Sequence, residues 1–233
     1  MNVSIENQVV WLAPPRTGSS ITKKIFEHYN FFSSTKKNNY KLVDFRKRTH
    51  SREKIIGEEF SQFKIISNIR NPYDRVFACY QNFYLEKPIL KNNRNFGQRF
   101  TKWVSENFWS QGSHFFLSTR YDDVNNFFQN WTFETEDVDF YVRMEHLQSD
   151  ILKLPFILKT DEENTRILQL LEDNRYINER HYSFQDVYDV KSAKLVYEFF
   201  KPCFYKFGYD PFSFTRNVLS DEEKITFIHD TLD

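Results

Sequence analysis

The chain predicts an α/β domain in which helices cover both faces of a central, mainly parallel sheet, a three-layer α/β/α arrangement. Three observations carry this expectation. Apolar runs at 8–13, 63–69 and 138–144 have the length and composition of buried strands. Each is followed by a segment whose apolar residues recur at helical spacing. Two of the junctions carry helix-start chemistry, Gly18-Ser19-Ser20 and Asn71-Pro72. Sheets of this kind take their ligands at the carboxyl ends of the strands.

In order, "QVVWLA" is the first strand, and "SSITKKIFEHYNFF" a helix with Ile21, Ile25, Phe26 and Tyr29 on one side. "YKLVDF" reads as a short strand and "SREKIIGEEF" as a short helix capped by Ser51. After the strand "FKIISNI", Asn71 caps the next helix and Pro72 takes its first position. Val76, Phe77, Tyr80, Phe83 and Tyr84 form that helix's apolar side. A helix over 96–108 follows, whereas "NNFFQNWTF" fits helix and strand equally. "VDFYVRM" is the third strand, and "EHLQSDILKL" the helix after it. Helices are expected over 162–172 and 192–207, the second ended by Gly208. Ser220 and Glu223 have the spacing of a capping box for a terminal helix. We expect one domain over 1–210 and a C-terminal extension, 211–233, carrying that short helix.

Lys plus Arg and Asp plus Glu number 32 each, so no overall field favours nucleic acid or a membrane surface as partner. Any anion site must be local. With 26 Phe and 13 Tyr among 233 residues, the core should be rich in aromatic rings. Cys79 and Cys203 lie in apolar helical surroundings and read as small core side chains, not as a disulfide or metal site. No apolar run is long enough to span a bilayer, and "MNVSIENQ" lacks the features of a signal peptide. If the chain is complete, a cytoplasmic location is expected.

Two loops have the makings of anion sites. In "WLAPPRTGSSITKKIF" the phosphate-loop pattern places Ala13 on the first glycine, Gly18 on the second, Ser20 on the final hydroxyl and Ser19 where lysine belongs. A helix start that follows a glycine offers unpaired N–H groups and the positive end of the dipole. Ser19 and Ser20 add hydroxyls, and Arg16 adds a forked cation. A kinase would use a lysine after Gly18 to reach the outer phosphates, with an acidic group to hold Mg²⁺. The second loop, "ISNIRNPYDRVFACY", sets Arg70 at a strand end beside the capped helix start. Arg75 reads as a structural ion-pair partner. Two such loops imply a ligand with two separated anionic groups.

These motifs resemble those of sulfotransferases that use 3′-phosphoadenosine 5′-phosphosulfate (PAPS), most closely the Golgi-carbohydrate and bacterial branch. "PPRTGSS" is similar to the 5′-phosphosulfate loop and "FKIISNIRNPYDRVFACY" to the 3′-phosphate segment. "HSREKIIGEEFSQFK", "DVDFYVRMEHLQSDI" and "INERHYSFQDVYD" with "VYEFFKPCFYKFGYD" resemble further stretches in the same order, covering most of 9–210. The resemblance implies a P-loop NTPase-like sulfotransferase fold and a metal-free donor site formed by Pro15, Arg16, Thr17, Gly18, Ser19, Ser20 and Arg70. A donor without a γ-phosphate needs neither the loop lysine nor Mg²⁺. One departure stands out: the family's 3′-phosphate serine, eight residues after the motif arginine, is Ala78 here.

Sulfuryl transfer asks mainly for positioning and charge stabilisation, with removal of the acceptor's proton. Arg16 is expected to stabilise the departing phosphate, and Ser20 to hold the 5′-phosphate. His50 is the expected base, because imidazole titrates near neutrality and matches the family's histidine; Glu27 and His28 are alternatives. Arg143 and Glu145 are expected to be architectural. His181 and Tyr182 fit a place near the ligand and a place in the core equally well. The basic stretch "FRKRTHSREK" fits an acidic acceptor or an ordinary solvated face. The acceptor is a hydroxyl, on a carbohydrate by resemblance. A P-loop small-molecule or nucleotide kinase and a non-catalytic sulfotransferase-like binding module are the competing readings.

Overall fold

The computed structural model describes residues 2–12, 16–28, 58–84, 95–108, 138–157, 160–173 and 183–229. They belong to two compact units, each drawn from two stretches of chain: Met1–Arg70 with Val124–Glu179, and Asn71–Asp123 with Arg180–Asp233.

The first unit is α/β. Its four strands, β1 (Asn2–Ser4), β2 (Val9–Leu12), β3 (Lys64–Ile69) and β4 (Phe140–Arg143), lie side by side in that order. β1 runs antiparallel to β2, and β2, β3 and β4 are parallel, with Leu12 opposite Ser67 and Ile69 opposite Arg143. Successive strand residues point to opposite faces. Val9 and Trp11 therefore join Ile66 and Val142 on one face, while Val10, Leu12 and Ile65 join Val3 and Phe60 on the other. Burial on both faces is why β2 reads as a continuous apolar run and β3 as one broken only at Ser67 and Asn68. Helices α1 (Ser19–His28), α4 (Leu147–Ile151) and α5 (Asp161–Asp173) pack on the first face through Ile25, Phe26, Leu147, Ile151 and Ile167. Trp11 meets Phe26 edge to face at 5.3 Å.

Asp139 fixes the register of β4 from both sides of one residue. Its N–H donates to the Ile65 carbonyl (3.0 Å), and its carboxylate accepts from the Ile65 N–H (2.8 Å) and from Lys64 Nζ (3.0 Å). At the end of β4, Arg143 is held in a bidentate pair with Asp150, both bonds 2.7 Å, and the same carboxylate accepts from the Arg143 N–H (3.1 Å). This clamp turns the chain back on itself. As a result the segment expected to be helical from 145 opens as a 3-10 turn, Met144–His146, and only Leu147–Ile151 is α-helical.

The second unit is helical: α2 (Pro72–Tyr84), α3 (Phe96–Phe108), α6 (Val190–Phe207) and α7 (Asp221–His229). As expected, Asn71 caps α2, its Oδ1 accepting from the Tyr73 N–H (3.0 Å); its Nδ2 donates to Ser213 Oγ (2.9 Å). Phe77 and Tyr80 of α2 interlock with Phe100 of α3 at ring separations of 5.7 and 5.2 Å, so the core here is aromatic. α6 starts two residues before the expected position, because Asp189 and Ser192 form a reciprocal capping box. It ends, as expected, at Gly208, whose φ of 67° is the left-handed conformation of a helix cap. Ser220 and Glu223 cap α7 reciprocally. Phe227 of α7 is buried against Tyr197 and Phe214, and Lys194 Nζ donates to the Phe227 and Ile228 carbonyls. The terminal helix is thus seated on α6 of its own unit.

β1 was not anticipated: three residues are too few to show alternation. "YKLVDF", "NNFFQNWTF" and the first seven residues of "SREKIIGEEF" lie outside the described residues; Glu58–Phe60 form a 3-10 turn. Among the described residues no helix is long and apolar enough to cross a membrane.

Candidate anion-binding site

The loop from β2 to α1 lies at the carboxyl end of the parallel strands, within the first unit. Two of its residues have left-handed backbone, Arg16 with φ 64° and Gly18 with φ 81°. A side chain at Gly18 would also collide with Met144 Sδ, just beyond β4. Glycine is required there on both counts. The Gly18 carbonyl caps α1, accepting from the N–H groups of Ile21 and Thr22, both 3.1 Å, and from Thr22 Oγ1 at 3.2 Å. Ser19 and Ser20 occupy the first helical turn, where N–H groups have no intrahelical acceptor. They offer those donors, two hydroxyls and the positive end of the helix dipole. Ser20 is exposed, Ser19 and Arg16 half-buried, and Thr17 buried.

Arg70, the residue after β3, reaches this loop. Its Nη1 donates to the Arg16 backbone carbonyl at 3.0 Å, so the two motif segments meet at the same strand ends. A non-glycine residue with positive φ persists only where its surroundings hold it. Arg70 supplies part of that hold.

Beneath the loop runs a buried polar chain that sequence reasoning missed. Trp11 Nε1 donates to Asn68 Oδ1 (2.7 Å), and Asn68 Nδ2 donates to Thr22 Oγ1 (2.7 Å), which in turn bonds the Gly18 carbonyl. Trp11, Asn68 and Thr22 are each at most 1 % exposed. A signal existed: an asparagine within a buried strand has to find partners.

Pro15 and His50 lie outside the described residues, as do His181 and Tyr182. Ala78 lies on α2, in the second unit, and is buried without a hydroxyl to offer. Glu27 is exposed and paired with Lys23 (3.3 Å), and His28 closes α1 on its exposed side. Burial by itself would raise the Asp150 carboxyl, but hydrogen bonds and charge from Arg143 outweigh it, leaving Asp150 below the ordinary carboxylate range. Arg143 is therefore architectural. Arg75 is buried in the second unit near Cys203, whose thiol burial pushes up to about 11 while Arg75 and Lys206 pull it back. That thiol is protonated at neutral pH and serves as packing. Among the described residues no group of His, Cys, Asp and Glu side chains is arranged to hold a metal ion.

Comparisons with protein-family models, with curated proteins and with solved structures find no match to this chain.

Proposed function

We propose that the chain is a sulfotransferase of P-loop-like α/β/α architecture. It transfers the sulfuryl group of 3′-phosphoadenosine 5′-phosphosulfate to a hydroxyl, on a carbohydrate by resemblance of the motifs. The observation that carries this reading is the joining of the two motif arginines: a lysine-less, glycine-capped anion loop bearing Arg16, with the Arg70 guanidinium on its backbone at 3.0 Å. The donor's 5′ end suits this loop. Backbone N–H groups, two serine hydroxyls and a guanidinium can take up the charge that grows on a leaving phosphate, and Ser19 in place of lysine suits a ligand that ends in a sulfuryl group.

In the reaction the acceptor oxygen forms a bond to sulfur while sulfur's bond to the bridging phosphate oxygen breaks. The acceptor proton goes to a base, His50 in this reading, and 3′-phosphoadenosine 5′-phosphate leaves. Arg16 stabilises the departing phosphate, and Ser20 with the first turn of α1 holds it in place.

A second reading rests on Ala78. Without the hydroxyl that the resemblance places there, the 3′ end has one contact fewer, and a non-catalytic binding module with the same loop becomes the alternative. Titration calorimetry of the full chain with the bisphosphate product, and with ATP plus Mg²⁺, separates the readings. Metal-free binding of the bisphosphate, weakened at least about tenfold by Arg16→Ala, supports a donor site; preference for ATP points to a kinase; binding without any sulfuryl transfer points to the module. His50→Ala should then depress turnover about 10²-fold or more while the bisphosphate still binds. Unchanged turnover would remove His50 from the mechanism.

A further inference from the structure

We infer that Thr22 and Asn68 are positioning residues for the anion loop: through a one-way chain of buried hydrogen bonds they hold the Gly18–Ser19 peptide with its N–H turned toward the ligand. This inference rests on reading the loop as the ligand's anion site.

The direction of the chain follows from the chemistry of its members. An indole N–H can only donate, so Trp11 fixes the carbonyl oxygen of the Asn68 amide toward itself. The NH₂ end of that amide must then face Thr22 and donate to its hydroxyl oxygen. With its oxygen used as acceptor, Thr22 has its own proton free for the Gly18 carbonyl. In a trans peptide the carbonyl and the following N–H point in opposite directions. Drawing the Gly18 carbonyl into α1 therefore turns the Ser19 N–H outward, the orientation that an anion needs.

Glycine makes this control necessary. At φ 81° Gly18 has the freedom to rotate its peptide and present the carbonyl instead, which would repel an anion. Two backbone N–H groups already oppose that rotation, and the Thr22 hydroxyl is a third donor. Its own direction is set by Asn68 on β3, 46 residues away in sequence, which Trp11 of β2 orients in turn. Water has little access to Trp11, Asn68 and Thr22, so the orientation is not averaged by exchange with solvent.

Thr22→Val keeps the shape and removes the hydroxyl; Thr22→Ser restores it. Trp11→Phe removes the donor that sets the direction while staying remote from any ligand at the loop. Binding of 3′-phosphoadenosine 5′-phosphate, of ATP with Mg²⁺ and of inorganic pyrophosphate is measured for the full chain and each variant, with thermal melting in parallel. We expect Thr22→Val and Trp11→Phe to weaken the ligand that the parent chain binds by about three- to tenfold, and Thr22→Ser to recover it. If Thr22→Val does not fold, Trp11→Phe decides. Bisphosphate binding that is unchanged in folded Thr22→Val or Trp11→Phe, or not recovered in Thr22→Ser, overturns the inference and leaves the proposed function standing. The expected pattern seen with ATP or pyrophosphate, but no binding of the bisphosphate, keeps the inference and overturns the sulfotransferase reading. Binding of none of the three probes overturns both.

Discussion

At Gly18 any side chain meets two separate obstacles, a left-handed backbone and the thioether of Met144. Gly18→Ala should therefore destabilise the chain by about 1–2 kcal/mol from backbone conformation alone, with a steric share added. Met144→Ala in the same chain should return only the steric share, and urea midpoints of the two variants measure the split. Gly208 is the control, since its φ of 67° carries the backbone penalty with nothing within 4 Å to collide with. Asp150 gives a prediction about acid. Its carboxyl is held below the ordinary value of about 3.9, so the stability it contributes is complete above that value. It is lost as pH falls through the lower, folded value. Asp150→Asn should weaken the protein at neutral pH by about 1.5–3 kcal/mol, the loss of charged hydrogen bonds to Arg143, and narrow its difference from the parent in acid. Unfolding monitored from neutral to acidic pH checks the sign.

At the scale of elements, α6 depends on its ends. Its capping box links Asp189 to Ser192 through bonds of 2.8 and 3.2 Å, and Ser192 is fully buried. Asp189→Ala should lower stability by about 0.5–2 kcal/mol, read as a drop in melting temperature. The structure explains which elements the sequence could reveal. β2 was readable because burial on both faces leaves a continuous apolar run, β3 because its run is broken only at Ser67 and Asn68, and the start of α2, the end of α6 and the cap of α7 because caps use particular residue types at fixed offsets. Asp189 was missed as the start of α6 because an aspartate there also fits a loop; only the reciprocal bonds to Ser192 distinguish the two. The 3-10 opening before α4 depends on Arg143 finding Asp150. At the candidate site, Gly18 and the serines were legible from the turn they build. The bond from Arg70 to the Arg16 carbonyl was not, since a backbone acceptor leaves no mark in residue type. The Trp11–Asn68–Thr22 chain requires knowing which strands are neighbours.

For the whole molecule, equal numbers of acidic and basic side chains leave a formal net charge of zero at pH 7. Proteins near zero net charge repel one another least, so solubility in a neutral precipitant should be lowest near pH 7 and should rise by about pH 6 and about pH 8.5. Light scattering across that range tests it, and a minimum elsewhere would show that the titrating groups are strongly perturbed. The helical unit is also closed by its own C-terminal segment. Lys194 is 5 % exposed, and besides Glu198 at 3.0 Å its ammonium relies on carbonyls that α7 provides. An expression design that stops short of Phe227 would therefore do more than shorten a tail. It would take two carbonyl acceptors from a cation that keeps one carboxylate partner, and the damage would surface in the second turn of α6, far along the chain from the cut.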